Sequence, residues 1–316
     1  MAMIVLLFAV AAALAVVALA WQRRPRPAPP PLREARPSLA EPEPTREVAY
    51  DDAPPFEPST SQAYAIVRVK GELTPPPPPW PVVFAHGMGG FDEVRVLGVR
   101  AGYFRGVRER VSRDVTFARV PAFARIADRA EALAEQILRI DAERVHVVAH
   151  SMGGLDARWA IAHLGLDAKI ASLTTIGTPH RGTPLADAGA KLVRRSRRLE
   201  AMLAKMGIPV DAFHDLSVSR MRAFNRDVPD APGVRYGSYV AVPRRAVDVS
   251  PVLWPAYALL NAMAGDNDGL VPAWSQPWGE LMGVVDADHW GAVGWSRGFD
   301  AAGFYEGLVE ELKSVR

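Results

Sequence analysis

The chain contains no cysteine. That excludes disulfides, a thiol nucleophile and thiolate-held metal, while leaving the compartment open. An excess of charge of one sign is missing too: 37 Lys and Arg stand against 35 Asp and Glu, a formal net charge of +2. Such a balance offers no electrostatic footprint for nucleic acid, which is not expected as a partner. No internal repeat is apparent, so repeat architectures are set aside.

The first twenty residues lack charged side chains altogether. Met1 to Ala20 contains no Asp, Glu, Lys or Arg, and an apolar run of that length can cross a bilayer as a helix. Residues 1–21 are therefore read as a single-pass transmembrane anchor. A cleaved signal peptide is the rival, because Ala18-Leu19-Ala20 offers an A-x-A-like site. Arg23, Arg24, Arg26, Arg33 and Arg36 follow the run, and the positive-inside bias favours the cytoplasmic face, with export as the alternative. Residues 22–60 are rich in Pro, Glu, Arg and Ala and poor in large apolar side chains, the composition of an extended linker.

Residues 61–316 have the size and pattern of one α/β domain. Strand-like runs occur at Tyr64–Val69, Pro81–Ala85, Val115–Arg119, Val145–Ala149, Ile170–Ile176, Val234–Val242 and Leu281–Val285. Helical patterns lie between them, notably Ile126–Ile140 and Leu155–His163. Short apolar strands alternating with helices predict a mostly parallel central sheet with helices on both faces.

Two segments carry chemistry. Val147-Val148-Ala149-His150-Ser151-Met152-Gly153-Gly154-Leu155 reads as a buried strand running into a tight turn with a serine at its apex. Acyl-transfer hydrolases need such a serine, flanked by small residues so that backbones can approach closely. Earlier, Pro81–Ala85 leads into His86-Gly87-Met88-Gly89-Gly90, a loop whose glycines let amides turn inward. The Met88 and Met152 N–H groups are then the expected oxyanion hole.

A serine nucleophile needs a base and an orienting acid, in the chain order Ser, acid, His for this layout. Of the seven histidines, only His214 and His289 lie well past Ser151 and outside the turn that holds His180. Only His289 follows a plausible acid loop, Gly265-Asp266-Asn267-Asp268-Gly269-Leu270-Val271-Pro272. Asp268 is the expected acid, since an Asp-Gly turn leading into an apolar residue can expose one carboxylate; Asp266 is the alternative.

With these residues in hand, the chain resembles the bacterial triacylglycerol lipases of the α/β-hydrolase fold over most of residues 80–310. The likeness rests on Val83-Phe84-Ala85-His86-Gly87, on Ala149–Leu155, and above all on Thr175-Ile176-Gly177-Thr178-Pro179-His180-Arg181-Gly182. It continues through Phe224-Asn225, Gly233–Tyr239 and Asn267–Val271. The resemblance implies ester hydrolysis through Ser151, His289 and Asp268, with a movable helical lid at about residues 186–230. Within it, Lys191–Met206 has Leu192, Val193, Leu199, Met202, Leu203 and Met206 at helical spacing, with Arg194, Arg195, Arg197 and Arg198 between them. A basic amphipathic helix of that kind can rest on lipid. Trp254, Trp274, Trp278, Trp290 and Trp295 are expected mostly in the core, with one or two on a lipid-facing rim.

Departures from the family pattern matter equally. Its secreted members hold calcium between two aspartates, one of them two residues after the catalytic histidine; here that position is Gly291, leaving Asp248 as the sole candidate ligand. No metal and no cofactor is therefore expected. The reading is a serine ester hydrolase acting on a lipid or other acyl ester. An acyltransferase or phospholipase on the same triad is the alternative, as is an inactive membrane-tethered interaction protein. The sequence leaves the oligomeric state open.

Overall fold

Six short strands assemble one parallel sheet, the central ones rich in small and β-branched residues. The computed structural model describes residues 80–90, 93–96, 99–111, 115–196, 198 and 210–313. The anchor, the linker and the strand expected at Tyr64–Val69 lie outside the described residues. In chain order the strands are β1 (Val82–Ala85), β2 (Glu93–Val96), β3 (Val99–Gly102), β4 (Val115–Phe117), β5 (Val145–His150), β6 (Ile170–Ile176), β7 (Arg235–Ala241) and β8 (Glu280–Val285). The main sheet runs β4-β1-β5-β6-β7-β8 with every neighbouring pair parallel. A separate antiparallel ribbon joins β2 to β3.

Every residue of β1, β5 and β6 is buried, as expected for strands covered on both faces. Alternation decides which face each side chain serves. Val83, Val147 and Leu173 pack with Ala130, Leu133 and Ile137 of helix α1 (Ile126–Leu138) and with Ala157, Ala160 and Ile161 of helix α2 (Gly153–His163). Val82, Phe84, Val148 and Ile176 point to the opposite face, where they meet Tyr305, Leu308 and Val309 of a C-terminal helix, Ala301–Lys313.

Among the described residues the connection from β6 to β7 includes helices α3 (Pro184–Arg195), α4 (Val210–Asp215) and α5 (Val218–Asp227). Helix α6 (Trp254–Ala264) follows β7. The helix expected over Lys191–Met206 is corrected at both described points. It begins at Pro184, because the Thr183 hydroxyl caps the Leu185 N–H and proline fits the first turn. It closes at Ser196, whose backbone is extended; residues 199–209 lie outside the described residues. Among the described residues no helix is long and apolar enough to cross a membrane.

The Thr-Pro-His-Arg-Gly segment serves packing. His180 stacks on Trp278 and bonds Thr175 Oγ1 through Nε2 at 3.1 Å, while its carbonyl accepts from Asn225 Nδ2 at 2.9 Å. Arg158 lies 3.5 Å over the Trp278 ring and donates to Asn225 Oδ1 at 2.9 Å and to the Val228 carbonyl at 3.1 Å. Burial first, then the Arg158 and Arg181 charges, hold His180 well below the usual histidine range, so it is neutral. Of the tryptophans, Trp278 is buried, whereas Trp254 and Trp295 are 51% and 37% exposed.

Candidate active site

Loops leaving the carboxyl ends of β1, β5, β6 and β8 meet at one edge of the sheet, where open α/β folds bind ligands. At the end of β5 the chain must turn at once into α2. Ser151 adopts φ +55°, the only positive φ of a non-glycine residue among the described residues. Strain of that kind is held by its surroundings. The Ser151 N–H donates to the Ile176 carbonyl at 3.0 Å, and the Ser151 carbonyl accepts from Thr178 Oγ1 at 2.7 Å. Gly153 is required for close approach, since a Cβ there would stand 2.5 Å from the Ala85 carbonyl oxygen.

Ser151, His289 and Asp268 are brought together in the order expected. Ser151 Oγ lies 3.0 Å from His289 Nε2, and His289 Nδ1 lies 2.7 Å from Asp268 Oδ2. The His289 N–H also donates to the Asp268 carbonyl at 2.7 Å, which fixes the ring's backbone to the loop of its partner. One expectation is corrected: the Asp268 carboxylate is fully buried rather than exposed by its turn. Its Oδ1 accepts from the Leu270 and Val271 N–H groups at 2.9 and 2.7 Å, so the turn folds the carboxylate inward and leaves Oδ2 for the imidazole. Asp266, the alternative acid, is half-buried and contributes its carbonyl to Ala273 N.

The loop after β1 is held by a buried guanidinium. Arg129 of α1 donates to the His86 carbonyl at 2.7 Å, to the Pro121 carbonyl at 2.6 Å and to Asp156 Oδ2 of α2 at 2.9 Å. One side chain thus fixes the spacing between the segment carrying Met88 and the helix that begins after Met152. Burial pushes the Asp156 carboxyl up to about 6, against the opposing pull of Arg129. Neither the Met88 nor the Met152 N–H donates to another described residue.

The candidate calcium positions have other occupations. Asp248 is gripped by Arg245 at 2.7 and 2.9 Å. The Gly291 N–H donates to Asp288 Oδ1 at 2.6 Å. Among the described residues no group of three His, Asp or Glu side chains is arranged to hold a metal ion.

Residues that the sequence did not single out complete the site. Tyr103 Oη lies 2.7 Å from His150 Nδ1, and the His150 ring packs against His289 with centroids 4.6 Å apart. The Tyr103 link spans 47 positions and has no sequence signature. Arg129 and Asp156 were legible only as ordinary charged helix positions.

Comparison with known proteins agrees with this geometry. A family model, the PGAP1-like alpha/beta domain, matches residues 122–206. Triacylglycerol lipase 2 of Saccharomyces cerevisiae is 30% identical over 270 residues, covering 69% of this chain and 81% of the yeast protein. Among solved structures, the metagenomic carboxyl esterase MGS0156 superposes with a TM-score of 0.61 at 20% identity, covering 74% of this chain and 75% of that one. Lipase 1 from Pelosinus fermentans gives a TM-score of 0.60 at 19% identity over 76% of this chain and 100% of that one. The chain belongs to the lipase and esterase family of the α/β-hydrolase superfamily and is a carboxylic ester hydrolase.

Proposed function

We propose that Ser151 is the nucleophile, His289 the general base and Asp268 the acid that orients it. The observation carrying this reading is the continuous hydrogen-bonded line from Ser151 Oγ through both His289 nitrogens to Asp268 Oδ2. Ser151 Oγ attacks the acyl carbonyl while its proton passes to His289 Nε2. The Met88 and Met152 N–H groups receive the charge that develops on the carbonyl oxygen. Collapse expels the alcohol, which takes the proton from His289 and leaves an acyl-enzyme. Water, activated by the same imidazole, then releases the acid and regenerates Ser151. No step calls on a cofactor or metal.

The substrate class is an acyl ester with an apolar chain. Supporting this, Met88, Met152, Leu155, Met221 and Phe224 form one apolar cluster beside the nucleophile turn. Ser151 is only 8% exposed, and the movable lid read at about residues 186–230 is part of this proposal, with 197 and 199–209 of it outside the described residues. Residues 1–21 tether the domain to a membrane through the linker at 22–60; carbonate extraction of the expressed chain tests this, and release into the soluble fraction refutes it.

A fluorophosphonate probe tests the chemistry. It is expected to label the wild type and not Ser151→Ala. Profiling p-nitrophenyl esters of increasing chain length then tests the substrate class, with a preference beyond acetate expected; a strict acetate preference overturns it.

A further inference from the structure

We propose that His150 is a positioning residue of this site: gripped by Tyr103, it directs its second ring nitrogen at the Asp268–His289 pair and fixes the imidazole that serves Ser151. The inference rests on the triad assigned above and extends it to a second histidine.

His150 is fully buried, with Nδ1 2.7 Å from Tyr103 Oη. Its Nε2 is buried and makes no hydrogen bond within 3.5 Å among the described residues, although the His289 backbone carbonyl lies close enough to act on it. That atom points into the triad. A Cβ on Gly177, which has φ +60°, would stand 3.5 Å from His150 Nε2, 3.5 Å from His289 Nδ1 and 3.3 Å from Asp268 Oδ2. Three polar atoms therefore converge around one bare glycine Cα.

Chemistry fixes where the His150 proton sits. Burial pushes the Tyr103 phenol far above its usual range, so it keeps its proton and donates to Nδ1. The His150 proton then resides on Nε2, an N–H facing the Asp268 carboxylate and the His289 residue, ring and backbone carbonyl alike. Burial, and next the neighbouring His289, hold His150 well below the usual histidine range, so the donor is uncharged. That neutrality matters: when His289 takes the Ser151 proton, a second cation against its ring would oppose the transfer. The titratable groups facing His150 are Tyr103, His289 and Asp268; Tyr103 in turn feels Arg129 and Asp268, acts on Tyr305, and has the His86 ring 5.5 Å from its own.

Tyr103 is itself tied to the histidine loop. Trp295 Nε1 donates to the Tyr103 carbonyl at 2.9 Å, and the Arg105 N–H donates to the Val293 carbonyl at 3.0 Å. Grip and target thus move as one piece.

The test uses the full chain in detergent with p-nitrophenyl butyrate. H150F keeps the ring and loses both nitrogens; H150Q restores an amide N–H near the Nε2 position; Y103F removes one oxygen. Expected are a kcat loss of about 30-fold in H150F with KM within about 2-fold, recovery to within about 5-fold of wild type in H150Q, and a loss of about 5-fold in Y103F. A packing role alone gives no recovery in H150Q, whose side chain fills less space than either ring. If H150F does not fold, Y103F carries the test, with a lower kcat at unchanged KM expected. Wild-type kcat in H150F, or in Y103F where H150F fails to fold, overturns the proposal, as does an H150Q no more active than H150F. The same samples are exposed to the fluorophosphonate probe: labelling of Ser151→Ala refutes the triad itself, a different failure from unchanged turnover in probe-reactive H150F.

Discussion

Strand β5 carries two histidines four residues apart, and each end of the strand has a serine hydroxyl on an imidazole. At the amino end, His146 Nδ1 lies 2.7 Å from Ser172 Oγ. Past the carboxyl end, His289 Nε2 lies 3.0 Å from Ser151 Oγ. The shorter contact belongs to the end away from the proposed triad. Ser172 sits within strand β6 opposite His146, just past a register shift in the β5–β6 pairing, and neighbouring strands flank it on both sides. Ser151 is thrust out of the sheet by a strained turn at the start of a helix, and its imidazole is backed by a buried carboxylate. A serine–histidine hydrogen bond is therefore a fastening unless backbone geometry turns the oxygen out of the sheet and a third group orients the ring.

Removing each serine breaks this comparison most sharply. Ser151→Ala is expected to lower kcat by about four orders of magnitude or more, leaving only residual binding and oxyanion effects. Ser172→Ala is expected to leave kcat within about 2-fold and to cost about 1 kcal/mol of stability, seen as a few degrees in Tm. Comparable kcat losses in both would erase the distinction between the two ends.

The acid is the next largest effect. Asp268→Asn is expected to reduce kcat by about 10³- to 10⁴-fold, since the amide favours the wrong imidazole tautomer. Asp266→Asn should stay within about 3-fold; steady-state kinetics on both variants decides, and the reverse order would transfer the role to Asp266.

Two buried histidines carry a stability cost in acid. His150 and His180 are both held well below the ordinary value of 6.5. The unfolded chain therefore binds more protons than the folded one below that pH, and stability falls as pH drops through it. Each group contributes a slope of up to about 1.4 kcal/mol per pH unit. Urea unfolding of wild type and His180→Gln between pH 7 and 5 should show the variant's slope smaller by one proton. Parallel slopes would mean that His180 is charged in the fold.

The smallest expected effect is none. Because Asp248 is held by Arg245, and Asp288 accepts from Gly291 N, Ser250 N and Ser296 Oγ, EDTA should leave both Tm and activity unchanged. A drop of several degrees would mean that these carboxylates exchange their present partners for a cation.

Much of this arrangement is written locally. The apolar runs predict β5 within one residue and β6 at both ends, because buried parallel strands impose continuous apolar sequence over short lengths. The serine turn and the glycine-rich loop are legible for a related reason: strained backbone restricts residue type at fixed spacing. The β2–β3 ribbon and helix α6 left weaker marks. Four-residue strands have too few positions to show alternation, and α6 is apolar on almost every side.

What the sequence determined by itself is the set of residues whose chemistry and order are unusual: Ser151 in its turn, Asp268 in an Asp-Gly turn, His289 after a late strand. Which ordinary residues surround them depends on the closed fold. Arg129 lies 43 positions from the His86 carbonyl that it holds, and Tyr103 lies 47 from His150. Their partners are chosen by the sheet order, which sets loops distant in sequence side by side. The signature histidine, His180, was assigned its packing role by the same means, through Trp278 of a loop far along the chain. Local pattern records what a backbone can tolerate, whereas burial and long-range hydrogen bonding exist only once the chain has closed on itself.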